Sequence, residues 1–262
     1  EAVTFLRAVL DKMRHLLALP EDYEIAFVPG SATGACEMGF WNLLGPRCVD
    51  VFAWDVFSKK WLYDIQSELK IPHRAFDVPF GEIPDFKKYN PEYDCCFVWS
   101  GTTAGVSIPH TDWIPSHRQG LTLCDATSAM FSFIPPWEKL DVVTFSFQKV
   151  LGSEAAHGVI ILSPRAIERL LRYTPSWPIP TLLRLSKAFY EKKASALSHP
   201  FKGLGTNTPS LWCIADAAYS LEWVESIGGI PGVIQKVDQN YQILKSWVET
   251  SSWIRFLAPT EE

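Results

Sequence analysis

Asp141-Val142-Val143-Thr144-Phe145-Ser146-Phe147-Gln148-Lys149-Val150-Leu151-Gly152 is the stretch on which the reading of the fold turns. Val142, Val143, Phe145 and Phe147 make a β-branched and aromatic run of strand type, and Gly152 closes it with a residue suited to a tight turn. Lys149 stands where the apolar run ends. An amine at the edge of an apolar strand faces a desolvation cost that favours its neutral, nucleophilic form, whereas a loop lysine in water keeps its charge and does nothing. Which of the two applies depends on what the rest of the chain brings to the same place.

Upstream, Ile25-Ala26-Phe27-Val28 reads as a short buried strand running into Pro29-Gly30-Ser31-Ala32-Thr33-Gly34-Ala35, with a helix over about 33–44. A strand, a small-residue loop and a helix start together make an anion site, because free backbone N–H groups and the helix dipole point into the loop. The spacing matches neither of the common nucleotide-binding glycine patterns, and on its own a Gly- and Ser-containing strand-to-helix loop is more often ordinary turn chemistry. Then come a strand at 49–53, a helix over 57–69 with Trp61, Leu62, Ile65 and Leu69 on one face, a strand at 73–78 and an irregular or short helical piece at 82–89. Tyr93-Asp94-Cys95-Cys96-Phe97-Val98-Trp99 is apolar enough to be buried on both faces, and it leads into Ser100-Gly101-Thr102-Thr103-Ala104-Gly105. Leu121-Thr122-Leu123-Cys124-Asp125 is a further buried run ending in a carboxylate. Past Lys149 follow a strand at 158–162, a helix to 173, a proline-rich link at 174–180, an irregular stretch to 209, two amphipathic helices parted near Gly228-Gly229, and a strand candidate at 253–257.

Each strand ends in polar or small residues, and in parallel α/β sheets ligands bind outside the carboxyl ends of the strands. The expected fold is therefore α/β: a mostly parallel sheet with helices on both faces. Residues 1–226 are expected to form the large domain and 227–262 the start of a small α+β one.

The 262 residues, 47% hydrophobic and 20% charged, are enough for a sizeable core. A net charge of −5 with no basic run argues against nucleic acid as the main partner. Six cysteines without a CxxC pair or metal-ligand spacing read as reduced thiols of a cytoplasmic protein, with neither zinc nor disulfides expected. No apolar run approaches the roughly 18 residues that a membrane span needs. Residue 1 is Glu, and Leu6, Val9, Leu10, Met13, Leu16 and Leu17 already follow helical spacing without a capping residue ahead of them. The chain thus reads as a fragment, and the short run after 257 gives its other end the same look.

Pyridoxal phosphate asks a protein for a lysine that binds it covalently, an acid that keeps the pyridine nitrogen protonated, and a polar cradle for the phosphate. Lys149, Asp125 and the 29–35 loop offer all three. Alone, Asp125 is as readily a cap in Asp-Ala-Thr-Ser, and Lys149 a solvated loop residue.

Pro29-Gly30-Ser31-Ala32-Thr33-Gly34-Ala35, Ser100-Gly101-Thr102-Thr103-Ala104-Gly105-Val106, Cys124-Asp125-Ala126-Thr127-Ser128-Ala129, Ser146-Phe147-Gln148-Lys149-Val150-Leu151-Gly152, Ala156-His157-Gly158 and Thr206-Asn207-Thr208-Pro209-Ser210 occur in the order seen in phosphoserine aminotransferases. The chain resembles the type found in methanogenic archaea and some bacteria, within the class V aminotransferases. The resemblance spans nearly the whole chain and implies the large domain of the aspartate aminotransferase fold, pyridoxal 5'-phosphate as cofactor, and amino transfer from L-glutamate to 3-phosphohydroxypyruvate in serine biosynthesis. By that resemblance Lys149 matches the lysine that forms the Schiff base and then shuttles a proton at the substrate Cα, passing through a pyridoxamine form. Asp125 matches the partner of the ring nitrogen, and Thr103 the hydroxyl that bonds the phenolic oxygen. Ala32, Thr33 and Gln148 match the phosphate cradle. Asn207 and Thr208 match a pair that reaches the phosphate of a neighbouring subunit, which implies a homodimer. Phe57 falls near an aromatic position that stacks on the pyridine ring, and is equally readable as a core aromatic at a helix start. His157 belongs to the pattern without a chemical role, and a structural hydrogen bond is expected of it.

Ala32 stands where the family carries an acid, Ser100 where it carries Asn, and Ala155 where it carries Gly. The family's His-Arg pair for the substrate phosphate falls before residue 1, and its arginine for the substrate carboxylate after residue 262. Two other readings stay open: another class V enzyme, such as an alanine–glyoxylate type transaminase or a lyase, and a non-catalytic scaffold with the same fold.

Overall fold

The computed structural model describes residues 1–185, 201 and 205–258. Its main strands are β1 (Glu24–Pro29), β2 (Val49–Ala53), β3 (His73–Asp77), β4 (Asp94–Val98), β7 (Thr122–Asp125), β8 (Val142–Ser146) and β9 (His157–Leu162), with β5 (Ser100–Gly101) and β6 (Val106–Ser107) forming a separate antiparallel ribbon. The helices are α1 (Ala2–Leu16), α2 (Ser31–Leu43), α3 (Val56–Tyr63), α4 (Pro164–Arg172), α5 (Leu211–Ser226) and α6 (Gly229–Glu249). The main sheet runs in the order β1-β9-β8-β7-β4-β2-β3. β9 is antiparallel to both its neighbours, and every other adjacent pair is parallel. A mostly parallel sheet is thus what forms. The reversal of β9 sets its first residue, His157, at the end of the sheet where the other strands finish.

β2, β4, β8 and β9 are buried at every position, which is why their sequences are mostly apolar, with the few polar residues such as Asp50 and Asp94 hydrogen-bonded or ion-paired. β3, at the edge, carries charge instead. Helices cover both faces. On one, Gly39 of α2 comes close to Val142 and Ile160, and the Cys36 thiol lies 2.9 Å from the Thr144 hydroxyl. On the other, Phe27 meets Phe147 edge to face, and Phe145 meets Phe131. α1 packs against β1 and α5 there.

Local chemistry explains the helix ends. Asp55 and Ser58 form a capping box ahead of α3, and Ser163 caps α4 with Pro164 in its first turn. The helix expected over 57–69 changes at Asp64–Glu68 into a single π-helical turn. The strand expected at 253–257 does not form. Trp253 and Phe256 pack instead on Trp247 and Tyr241 of α6, so their apolar character serves ring contacts rather than a sheet. The irregular stretch expected up to 209 lies partly outside the described residues.

At the far end of the sheet two buried carboxylates hold the strand starts together. Asp94 takes Arg169 at 2.6 Å, and Asp141 takes both Arg118 and Arg165 at 2.9 Å. Charge is therefore paired where it is buried, and the opposite end is left for the loops.

Candidate active site

Asp125 is the last residue of β7, in register with Val98 of β4 and Thr144 of β8. Its Oδ1 accepts from the Thr127 amide at 3.0 Å and the Thr127 hydroxyl at 2.5 Å. Its Oδ2 accepts from Trp61 Nε1 at 3.1 Å. Burial raises the pKa of this carboxyl, and the Thr127 and Trp61 donors oppose the rise by favouring the ionised form. Cys36, Cys96 and Cys124 nearby are buried, and burial raises their pKa values.

Phe57 sits one helical turn before Trp61 in α3, on the same face and more exposed. The capping box that starts α3 leaves the Val56 amide free, and it donates to Thr103 Oγ1 at 3.0 Å. Thr103 is thereby docked on α3 with its own hydroxyl proton still available. Beside it the hydroxyls of Thr102 and Ser128 hydrogen-bond to each other.

Lys149 lies beyond the end of β8 in a turn closed by Gly152 N–H to Lys149 O at 3.0 Å, with Gly152 at φ +65°. The lysine is exposed, so of the two alternatives the geometry is that of a loop lysine rather than of an amine desolvated by the strand edge. Phe147 takes the buried place, and Gln148 and Lys149 turn outward with the loop. Gln148 Oε1 accepts from Ser146 Oγ at 2.5 Å.

α2 starts at Ser31, with Gly30 at φ +82° before it. Ala32 is buried and Thr33 half-buried in the first turn. This loop lies on the start of β9: Ser31 bridges His157, and a Cβ at Gly158 would stand 2.2 Å from the Ser31 carbonyl oxygen. A Cβ at Gly34 would stand 2.1 Å from the Pro29 carbonyl oxygen, so both glycines are required by close approach. The N–H groups of the first turn face the same sheet end as Asp125 and the Lys149 turn, as an anion cradle needs. Asn207 and Thr208 are exposed on the segment leading to α5. His157 makes the expected structural hydrogen bond, accepting from the Ser210 amide at 2.9 Å.

One end of the sheet therefore gathers Ala32, Thr33, Phe57, Thr103, Asp125, Gln148 and Lys149, while Asn207 and Thr208 face outward beside it. A lysine amine, a buried carboxylate and a helix-start cradle are the donor set that pyridoxal phosphate fits. Trp61 and Thr127 were not singled out in the sequence as partners of Asp125. The Phe57-to-Trp61 spacing and the Asp-x-Thr spacing were the available signals.

No protein-family model matches the chain. Over 258 residues it is 48% identical to the phosphoserine aminotransferase of Methanosarcina barkeri and 47% identical to that of Methanosarcina mazei; each alignment covers 98% of this chain and 68% of the relative. A phosphoserine aminotransferase structure from Cytophaga hutchinsonii superposes with a TM-score of 0.81 over 99% of this chain and 71% of that one, at 22% identity. A pyridoxal-phosphate-bound phosphoserine aminotransferase from Trichomonas vaginalis gives 0.81 over 98% and 73%, at 18%. At such identities the structures speak for the fold, and the two archaeal relatives speak for the family. The chain belongs to the phosphoserine aminotransferase family.

Proposed function

We propose that this chain provides the cofactor site of a phosphoserine transaminase, which transfers the amino group of L-glutamate to 3-phosphohydroxypyruvate and yields O-phospho-L-serine and 2-oxoglutarate. The observation that carries the reading is the donor-held Asp125 at the end of the strand next to the one that leads into the Lys149 turn. The 48% identity to the archaeal relative selects this substrate pair over the other class V readings. When bound, pyridoxal phosphate supplies an electron sink for the carbanion left when the substrate's α-proton departs.

The remaining work falls to the chain's own residues. Lys149 holds the cofactor and moves the proton at the substrate Cα. Asp125, ionised with the help of Trp61 and Thr127, holds the proton on the ring nitrogen; a cation there favours that ionisation further. Thr103 accepts from Val56, which leaves its own hydroxyl proton free, and it would hold the phenolic oxygen of the bound cofactor. The first turn of α2 at Ala32 and Thr33, together with the Gln148 amide, binds the phosphate. Phe57 covers the ring face.

Asn207 and Thr208 serve the cofactor phosphate of a second copy in a homodimer. Trp212 and Tyr219 of α5, 85% and 74% exposed, support an interface along that helix. Residues 1–226 form the large domain and 227–262 begin the small one. The six free thiols accord with a cytoplasmic setting.

Replacing Lys149 tests the reading. Lys149→Ala is expected to lose both the visible absorbance of lysine-linked cofactor and turnover, and a variant that transaminated at the parent rate would sink it. Strong preference for a non-phosphorylated keto acid would point to a class V relative instead.

A further inference from the structure

We propose that His157 is a positioning residue: it fastens the Asn207-Thr208 segment to the phosphate loop of its own subunit, and so aims that segment at the cofactor of a partner copy. The proposal rests on the reading of Asn207 and Thr208 as acting across a homodimer.

Two contacts outside its own strand ladder meet at this residue. The reversed direction of β9 puts His157 at the site end of the sheet. Its backbone bridges Ser31 in the phosphate loop, and Gly158 next to it leaves only enough room for the Ser31 carbonyl. Its ring, 7% exposed, accepts the Ser210 amide at 2.9 Å. Burial lowers the pKa of this imidazole, which keeps it neutral and leaves Nε2 free to accept. Thr208 and Asn207 lie two and three residues before the pinned amide, so the ring fixes their place to within about 7–10 Å of chain. The amide also belongs to the N-cap residue of α5, so the same bond sets where that helix begins.

A purely structural histidine would affect the subunit that contains it; a positioning residue for a crossing segment affects the other subunit. Mixed dimers separate the two. His157→Phe keeps an aromatic ring of similar size and removes the acceptor. Its homodimer is expected to bind pyridoxal phosphate about tenfold more weakly, since the Ser210 amide loses the acceptor that holds the segment in place. In a dimer of one His157→Phe subunit with one Lys149→Ala subunit, purified through two different tags, the one remaining Lys149 lies in the His157→Phe subunit. The segment reaching that site comes from the Lys149→Ala subunit, whose His157 is intact.

The mixed dimer is therefore expected to recover parent affinity and turnover at one of its two sites. His157→Gln, which keeps an acceptor, is expected to stay close to the parent. Ser210→Pro removes the donor at a φ of −72° that proline adopts, and is expected to complement Lys149→Ala in the same way, so the test survives poor folding of His157→Phe. A mixed dimer as weak as the His157→Phe homodimer, or a parent protein that is monomeric, would overturn the proposal. Turnover by the Lys149→Ala homodimer would instead overturn the underlying site assignment.

Discussion

Asp125 owes its position to side chains from other parts of the chain. Trp61, 1% exposed, reaches it from α3 with a single N–H, and Thr127 folds back on it with two donors. Trp61→Phe removes one donor while keeping a large ring packed near Phe40. We expect cofactor affinity to fall about fivefold to thirtyfold, with the melting temperature changed far less than the affinity, since a hydrogen bond to a charged acceptor is worth roughly 1–2 kcal/mol. Unchanged affinity in a cofactor titration would show that Thr127 alone holds the carboxylate.

Asp64, one turn further along, is the opposite case. It is 7% exposed, its Oδ2 has no hydrogen-bond partner, and burial with Glu37 nearby pushes its pKa up to about 6. A carboxyl raised in the folded state is well accommodated below its unfolded pKa of 3.8, and its contribution is lost as pH rises through about 6. Asp64→Asn should therefore stabilise the protein at pH 8 by on the order of 2 kcal/mol and give little at pH 4. Equal effects at both pH values in thermal melts would contradict that assignment.

At the scale of elements, the loop between β1 and α2 is shaped by what lies beneath it. β9 approaches the start of α2 so closely that Gly158 cannot take a Cβ without moving the Ser31 carbonyl. Gly158→Ala is expected to cost about 1–3 kcal/mol and to shift the first turn of α2. A shifted turn narrows the affinity gap between pyridoxal phosphate and unphosphorylated pyridoxal, and measuring both constants would show whether the loop has moved.

These neighbourhoods also show what could be read from sequence. The strands at 25–28, 49–53 and 121–125 were legible because strands buried on both faces are largely apolar runs, and the edge strand at 73–78 because of its place in the strand–helix alternation. The reversal of β9 was not, because a buried strand has the same composition in either direction. The strand expected at 253–257 failed for a related reason: Trp253 and Phe256 carry strand-like composition, but their partners are rings on α6. For the site, Lys149, Asp125 and the loop after β1 could be named because their chemistry is local. The exposure of Lys149 and the bond from Trp61 to Asp125 depend on how distant elements meet, which no local pattern records.

Across the whole molecule the two ends of the sheet divide the labour. The far end is charged and closed, with Asp94 and Asp141 buried under Arg118, Arg165 and Arg169. The near end is open and polar, with glycines where backbone must approach backbone. Stability is concentrated at one end, which leaves the loops of the other free to be shaped by chemistry. α5 and α6 carry exposed aromatic residues, among them Trp212, Tyr219 and Trp247, outside this sheet.

The central claim is that this near end holds pyridoxal phosphate on Lys149 for exchange with a phosphorylated amino acid. The most direct measurement is a half-reaction on cofactor-loaded protein: one equivalent of O-phospho-L-serine is added, and the visible spectrum and released keto acid are recorded. The account predicts loss of the lysine-linked absorbance with one keto acid formed per site, full return on adding 2-oxoglutarate, and neither change in Lys149→Ala. A spectrum that responds to alanine and not to O-phospho-L-serine would contradict it.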